Sequence, residues 1–331
     1  MIARIDFKAS EAVRAALSAI GRTEDLRFSP DNRLLVIAGY ARKRLLVLRV
    51  DIEAGGPSVA VRDFMELTSG DMGEIHGLDF IDDRTLVVGN RDGHVVIFAL
   101  PAEEPTGQSH EISAIRRVKG KGLCRLNSPG SLAVKAEPHG RVSLLVCNNY
   151  THMVTRHVVN RWLGYRTTSN RRLLARGLDI PDGITLSHDG RWIAISSHGT
   201  QDVKLYRISP SLGPETEPAG VLTDAGYPHG VRFTADDRHI LVADAGSRVV
   251  NVYAGDGGWS GRRAPVRSPE VIDEEAFLRG RANVEEGGPK GLDIDRSNNV
   301  VAITCEEQTL AFFSLASMIG SASASSSWPS L

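Results

Sequence analysis

Six times along the chain an apolar residue begins a short strand-like run, a polar turn follows, and a strongly apolar run succeeds it. The openings read Glu24-Asp-Leu-Arg-Phe-Ser-Pro-Asp-Asn-Arg, His76-Gly-Leu-Asp-Phe-Ile-Asp-Asp-Arg, Gly130-Ser-Leu-Ala-Val, Asp182-Gly-Ile-Thr-Leu-Ser-His-Asp-Gly-Arg, His229-Gly-Val-Arg-Phe-Thr-Ala-Asp-Asp-Arg and Lys290-Gly-Leu-Asp-Ile-Asp. Their first apolar residues, Leu26, Leu78, Leu132, Ile184, Val231 and Leu292, are separated by 52, 54, 52, 47 and 61 residues. A period near fifty built from short strands predicts an all-β fold, a six-bladed β-propeller with four-stranded blades.

The turns, Pro30-Asp-Asn, Asp82-Asp, His188-Asp-Gly and Asp236-Asp, carry residues that accept hairpin backbone angles. The second strands, such as Leu34-Leu-Val-Ile-Ala and Trp192-Ile-Ala-Ile-Ser, are continuously apolar, as expected for strands covered on both faces. Third strands follow at Leu45-Leu-Val-Leu, Val95-Val-Ile-Phe, Val154-Thr-Arg-His-Val, Val203-Lys-Leu-Tyr, Val249-Val-Asn-Val-Tyr and Thr309-Leu-Ala-Phe-Phe. Outer strands are more polar; Val59-Ala-Val-Arg-Asp-Phe and Ala219-Gly-Val-Leu are the clearest. Copy six lacks one, and the expectation is that residues 2–7 supply it, ahead of a short helix from Ser10 to Ile20, removing an open sheet edge. The propeller is expected to span 1–318 as one domain, with the Ser/Ala-rich segment 319–331 disordered.

Composition changes this picture little. The chain of 331 residues is 41% apolar and 24% charged, with 33 glycines, ordinary for a soluble globular protein. A net charge of -1 gives no general pull toward nucleic acid or acidic membranes, and the run Arg116-Arg-Val-Lys-Gly-Lys reads as a solvated edge. Cys124, Cys147 and Cys305 have no metal-binding spacing and read as buried free thiols. Asp6, Glu11 and Arg14 interrupt any signal-peptide core, and no apolar run reaches membrane-spanning length, so a cytoplasmic location is expected.

The candidate chemistry lies where the repeats converge. Opening strands begin, and second strands end, at one mouth of the channel. Two residues before each first apolar position stand Glu24, His76, Gly130, Asp182, His229 and Lys290. Acid, base and ligand types at one register of four repeats predict a titratable cluster in a cleft. His76, His229 and Lys290 are the catalytic candidates; Lys290 either orients an anion or oxyanion or pairs with Glu306 or Glu307. Second-strand ends add Tyr40, Arg91, Asn149, His198, Asp244 and Glu306 as substrate-binding candidates. His139, His157, His188 and His239 lie away from that register and read as structural or exposed. Segment 259–288 makes the last step the longest and is a candidate cap.

The phrases Pro181-Asp-Gly-Ile-Thr-Leu-Ser, Pro228-His-Gly-Val-Arg-Phe and Ile75-His-Gly-Leu-Asp-Phe resemble blade openings of six-bladed propellers of the senescence-marker-protein/gluconolactonase, paraoxonase, strictosidine-synthase-like and NHL-repeat group. The resemblance spans all six repeats and specifies the superfamily rather than a member. In the gluconolactonase-like enzymes the residue before the blade-opening Gly is a metal ligand in several blades, which implicates Glu24, His76, Asp182 and His229 here. Two departures stand out: His occurs where a calcium-type site has Asn, and Asp25 replaces the Gly after Glu24.

Calcium takes oxygen ligands, whereas imidazole suits transition metals, so a divalent transition metal is expected over Ca²⁺ and no organic cofactor is implied. The leading expectation is a metal-dependent lactonase or esterase acting on a small substrate at the mouth. A metal-free isomerase, lyase or condensing enzyme using His76 and His229 is the second reading, and a non-catalytic binding or scaffold propeller the third. No nucleophile elbow, P-loop, dinucleotide fingerprint or His-Glu-x-x-His is present.

Overall fold

The computed structural model describes residues 2–53 and 58–320. Six mainly antiparallel sheets stand as blades around a central channel, each opening with the repeated phrase. Blade one contains Thr23–Phe28, Leu34–Gly39, Arg44–Ile52 and Val59–Thr68, whose outer edge also pairs in parallel with Lys8–Ala9 and Gln108–Glu111. Blade two ends on Ala114–Val118 and blade three on Arg166–Leu174, outer strands whose polarity hid them in the sequence.

Alternation along each second strand explains its apolar character. Successive strand side chains point to opposite faces. In blade one Leu35 and Ile37 join Val300 and Phe312 of blade six, while Leu34, Val36 and Ala38 join Leu78 and Val88 of blade two. The same division recurs around the ring, so apolar clusters lie between neighbouring blades.

The turns are side-chain capped. Ser29 Oγ donates to Asp31 Oδ1 and accepts from the Leu34 amide; Ser187 with Asp189 and Thr234 with Asp236 repeat this. The next turn residue in blades one, five and six, Asn32, Asp237 or Asn298, adopts positive φ. Its side chain reaches the preceding blade: Asp237 accepts from His188 and Asp189 amides, Asn298 from Ala235, and Asn32 from Arg296. Asn and Asp tolerate the left-handed region and also carry an acceptor, which glycine lacks.

Closure follows the expectation. Arg4–Ile5 pairs antiparallel with Ala311–Ser314 as the fourth strand of blade six, with Arg4 opposite Phe313 and Ile5 opposite Phe312. The following helix, Glu11–Ala19, is capped by Ser10 and buries Val13, Ala16 and Leu17. One boundary shifts. Leu315–Ile319 is a helix that buries Met318, capped by Gly320 at φ 83°; the rest of the expected tail, 321–331, lies outside the described residues. The first half of segment 259–288 is outer wall: Gly261–Arg263 adds a fifth strand to blade four, while Arg267 and Glu270 bridge to the edge of three-stranded blade five. Its second half returns toward the mouth, where Arg279 reaches Glu307, Gly280 packs against Glu306 and Glu286 pairs with Lys290. Among the described residues no helix is long and apolar enough to cross a membrane, and all three cysteines are free and buried.

Candidate functional site

All six opening strands break their ladder at the candidate dipeptide: the pairing shifts between Thr23 and Leu26, Ile75 and Gly77, Pro129 and Leu132, Pro181 and Ile184, Pro228 and Val231, and Pro289 and Gly291. Such a bulge re-aims a side chain. The proline that begins four of these strands costs no ladder bond at a strand's first residue. The glycine after the site residue admits the next blade's backbone: a Cβ on Gly183 would lie 2.0 Å from His229 O, and one on Gly230 2.7 Å from Lys290 O. Close approach of the opening strands therefore gathers the side chains before those glycines.

Glu24, His76, Asp182, His229 and Lys290 are all brought together at one mouth and all buried, with Gly130 leaving room between them. Two donor triads result, Glu24/His76/His229 and Asp182/His198/His229, each with ligand atoms within 4.8 Å of one another. His229 is common to both. Its Nδ1 is 3.1 Å from Asp182 Oδ2 and its Nε2 3.6 Å from Glu24 Oε2. A neutral imidazole has one lone-pair nitrogen, so it can serve an ion through only one of these sides. The four-residue ligand set expected from the sequence is thus divided, and His198, expected to bind substrate, joins the second triad at 3.7 Å from Asp182 Oδ2.

The triads differ in what already occupies them. Arg91 Nη2 donates to His76 Nε2 at 2.7 Å, placing the His76 proton on Nδ1, while Arg22 and Lys290 hold Glu24 Oε1 at 2.5 and 3.2 Å. Each triad holds buried atoms without a hydrogen-bond partner among the described residues, Glu24 Oε2 and His76 Nδ1 in the first and Asp182 Oδ2 and His198 Nε2 in the second, so what separates them is Arg91 on the His76 nitrogen that faces Glu24; Asn149 donates only to Asp182 Oδ1, at 3.1 Å.

Burial alone would raise the Asp182 and Glu24 carboxyls. Both are held below the usual range, Asp182 by His229, His76 and His198, and Glu24 chiefly by Lys290. Burial lowers His76 well below its ordinary value, assisted by Arg91, and lowers His198 to about 4. Both rings are neutral near pH 7, the form that binds metals.

The other expected residues divide. Arg91 and Asn149 belong to the cluster; Tyr40 stands at its rim, stacked on the Arg22 guanidinium and donating to Glu74 at 3.0 Å. Lys290 lies among carboxylates, 2.7 Å from Glu286, 3.2 Å from Glu24 and 3.6 Å from Glu306, and Glu307 faces Arg279 instead. Asp244 is not in the cluster: its carboxylate accepts from the Gly226, Tyr227 and Gly246 amides and organises that turn. Sequence reading missed Arg22, Tyr227 and Glu286. Tyr227 stacks on His198 at 4.0 Å, and its place directly before Pro228-His229 was the signal available. Of the histidines set aside, His157 is buried against Asn170 and Thr155 within blade three.

No protein-family model matches the chain, and no curated protein matches it by sequence. Among solved structures, a luciferin-regenerating enzyme is similar in fold, at 12% identity and a TM-score of 0.57, covering 88% of this chain and 91% of that one. The fold is therefore that of a six-bladed β-propeller, shared with a luciferin-regenerating enzyme.

Proposed function

We propose that the protein is a metal-dependent hydrolase of the lactonase or esterase type, acting on a small substrate at the channel mouth. The supporting observation is that Asp182 Oδ2 and His198 Nε2, buried without partners beside His229 Nδ1, form the triad in which no arginine occupies a ligand nitrogen, as Arg91 does on His76. An unsatisfied buried acceptor costs on the order of 1–3 kcal/mol, more for a charged one, and a cation answers that need. Donors about 2.1 Å from one ion lie about 3–3.5 Å apart; the 3.1 Å separation falls in this range, and the 3.7 Å one needs a shift of a few tenths of an ångström. Two imidazoles and one carboxylate favour a transition metal such as zinc, iron or manganese over Ca²⁺.

In this reading Asp182, His198 and His229 hold the ion. His229 then carries its proton on Nε2, facing Glu24 Oε2, which fixes the tautomer in a carboxylate–histidine–metal arrangement. The ion would supply Lewis-acid polarisation of a lactone or ester carbonyl. Arg91, fixed by Asn149 Oδ1 at 2.8 Å and Ser128 Oγ at 3.2 Å, offers a guanidinium to the developing oxyanion. Lys290 keeps Glu24 ionised. The fold neighbour's being an enzyme supports catalysis over scaffolding. Three free buried cysteines suit a reducing compartment such as the cytoplasm.

Elemental analysis of protein purified without a metal-affinity tag tests this. Metal is expected in the parent and in His76→Gln, and lost from Asp182→Asn and His198→Gln. A parent that takes up no zinc, iron or manganese on supplementation would sink the reading; metal uptake with no turnover across a lactone and ester panel would leave a metal-binding propeller.

A further inference from the structure

Beside the cluster, between blades two and three, lie two contiguous cavities of about 460 and 510 Å³ that share Asp92, Gly93, Gly122, Arg125 and Leu126. The inner one begins at Arg91, whose guanidinium touches His76. The outer one is walled by Arg117, Lys119, Lys121 and Arg125. Lys119, Lys121 and Arg125 are exposed, and none pairs with a carboxylate among the described residues. The acids nearby are already engaged: Asp71 holds Arg117 at 2.6 Å, and Asp92 holds His94 Nδ1 at 2.7 Å.

The loop presenting these cations is fixed. The Leu126 amide bonds to Lys119 O at 3.0 Å, Gly120 and Gly122 take positive φ, and a Cβ on Gly120 would meet Cys124 O at 1.9 Å. Exposed Leu123 and half-buried Met153 line the stretch between these cations and Arg91. The basic run starting at Arg116 is therefore only partly outer edge; its second half faces a groove that leads to the site.

We infer that this groove binds the anionic end of the substrate: a small-molecule carboxylate or phosphate lodges among Lys119, Lys121 and Arg125, its apolar spacer crosses Leu123 and Met153, and its ester or lactone reaches the cluster beside Arg91. The catalytic half of this inference rests on the hydrolase reading; the anion-binding half does not. A backbone already held in place presents the three cations to an anion without the cost of ordering the loop first.

Calorimetric titration of inorganic pyrophosphate compares the parent with Lys119→Glu/Lys121→Glu/Arg125→Glu, whose melting temperature is measured alongside. Binding at least about tenfold weaker in the variant is expected, as is loss of the parent's binding in roughly 0.5 M salt, where exposed charges are screened. Equal affinity in both proteins, or no binding by the parent, overturns the groove. In turnover, the KM for mono(4-nitrophenyl) glutarate should rise at least about tenfold in the variant while that for 4-nitrophenyl acetate stays unchanged. Equal effects on both esters overturn the substrate assignment. If the metal-loaded parent hydrolyses neither ester but pyrophosphate binding still depends on the three cations, the hydrolase reading fails and the anion groove stands. A single-stranded oligonucleotide bound through the same cations more tightly than pyrophosphate would overturn the small-molecule assignment.

Discussion

Arg91 donates to His76 Nε2 at 2.7 Å, and so occupies the lone pair that a metal ligated by His76 would need. This contact distinguishes the two donor triads that the fold makes from the expected ligands and His198. It leaves Asp182, His198 and His229 as the open donor set and makes His76 the ring that positions a guanidinium.

Removing that guanidinium should be visible on His76 itself. Arg91 is one of the groups lowering the His76 pKa, so in Arg91→Met the imidazolium loses a repulsive neighbour and the pKa rises. Titration of the His76 ring followed by NMR checks this. An unchanged or lower value would mean that the contact has no electrostatic weight.

Burial of His198 makes stability depend on pH. Its folded pKa of about 4 lies below the ordinary 6.5, so between these values the unfolded chain binds a proton that the folded one refuses. Stability from this ring is present above pH 6.5 and is lost as pH falls toward 4, by at most about 3 kcal/mol. Asp25, raised to about 6 by burial, acts with the opposite sign between about pH 4 and 6. The informative quantity is therefore the difference between parent and His198→Gln in denaturant unfolding: the parent's relative stability should fall on going from pH 7 to 5. A constant difference would contradict the assignment.

Gly183→Ala tests the close approach that builds the mouth. Its Cβ would meet His229 O at 2.0 Å and Ser196 Oγ at 2.9 Å, and backbone cannot yield as a flexible side chain does. A loss of about 1–3 kcal/mol in unfolding free energy is expected from overpacking, together with weaker metal uptake as His229 is displaced. Gly190→Ala, whose added Cβ meets nothing within 4 Å, isolates the strain of positive φ, 70° there, from the clash.

Chelation should lower the melting temperature of the metal-loaded parent. An ion bound only by the folded state at a hundred times its Kd adds about 2.7 kcal/mol. Scanning calorimetry with and without EDTA should show this loss in the parent and none in Asp182→Asn. An identical shift in both would place the ion elsewhere.

The sequence by itself determined the ring. A fifty-residue period, polar turns and continuously apolar second strands are local properties that the blades repeat, and closure by an N-terminal strand within residues 2–7 followed from the missing sixth outer strand. The register of Glu24, His76, Asp182, His229 and Lys290 was likewise legible, because one backbone bulge recurs at all of them. Which donors remain open was not. Repeat spacing says that side chains converge but not which nitrogen faces which oxygen. Arg91 against His76, Tyr227 over His198, Glu286 beside Lys290 and Asp244 turned into its own loop depend on rotamers and on chain segments far apart in sequence. Those pairings are decided by hydrogen bonding and desolvation in the packed mouth, where only the tertiary structure brings the competing partners within reach.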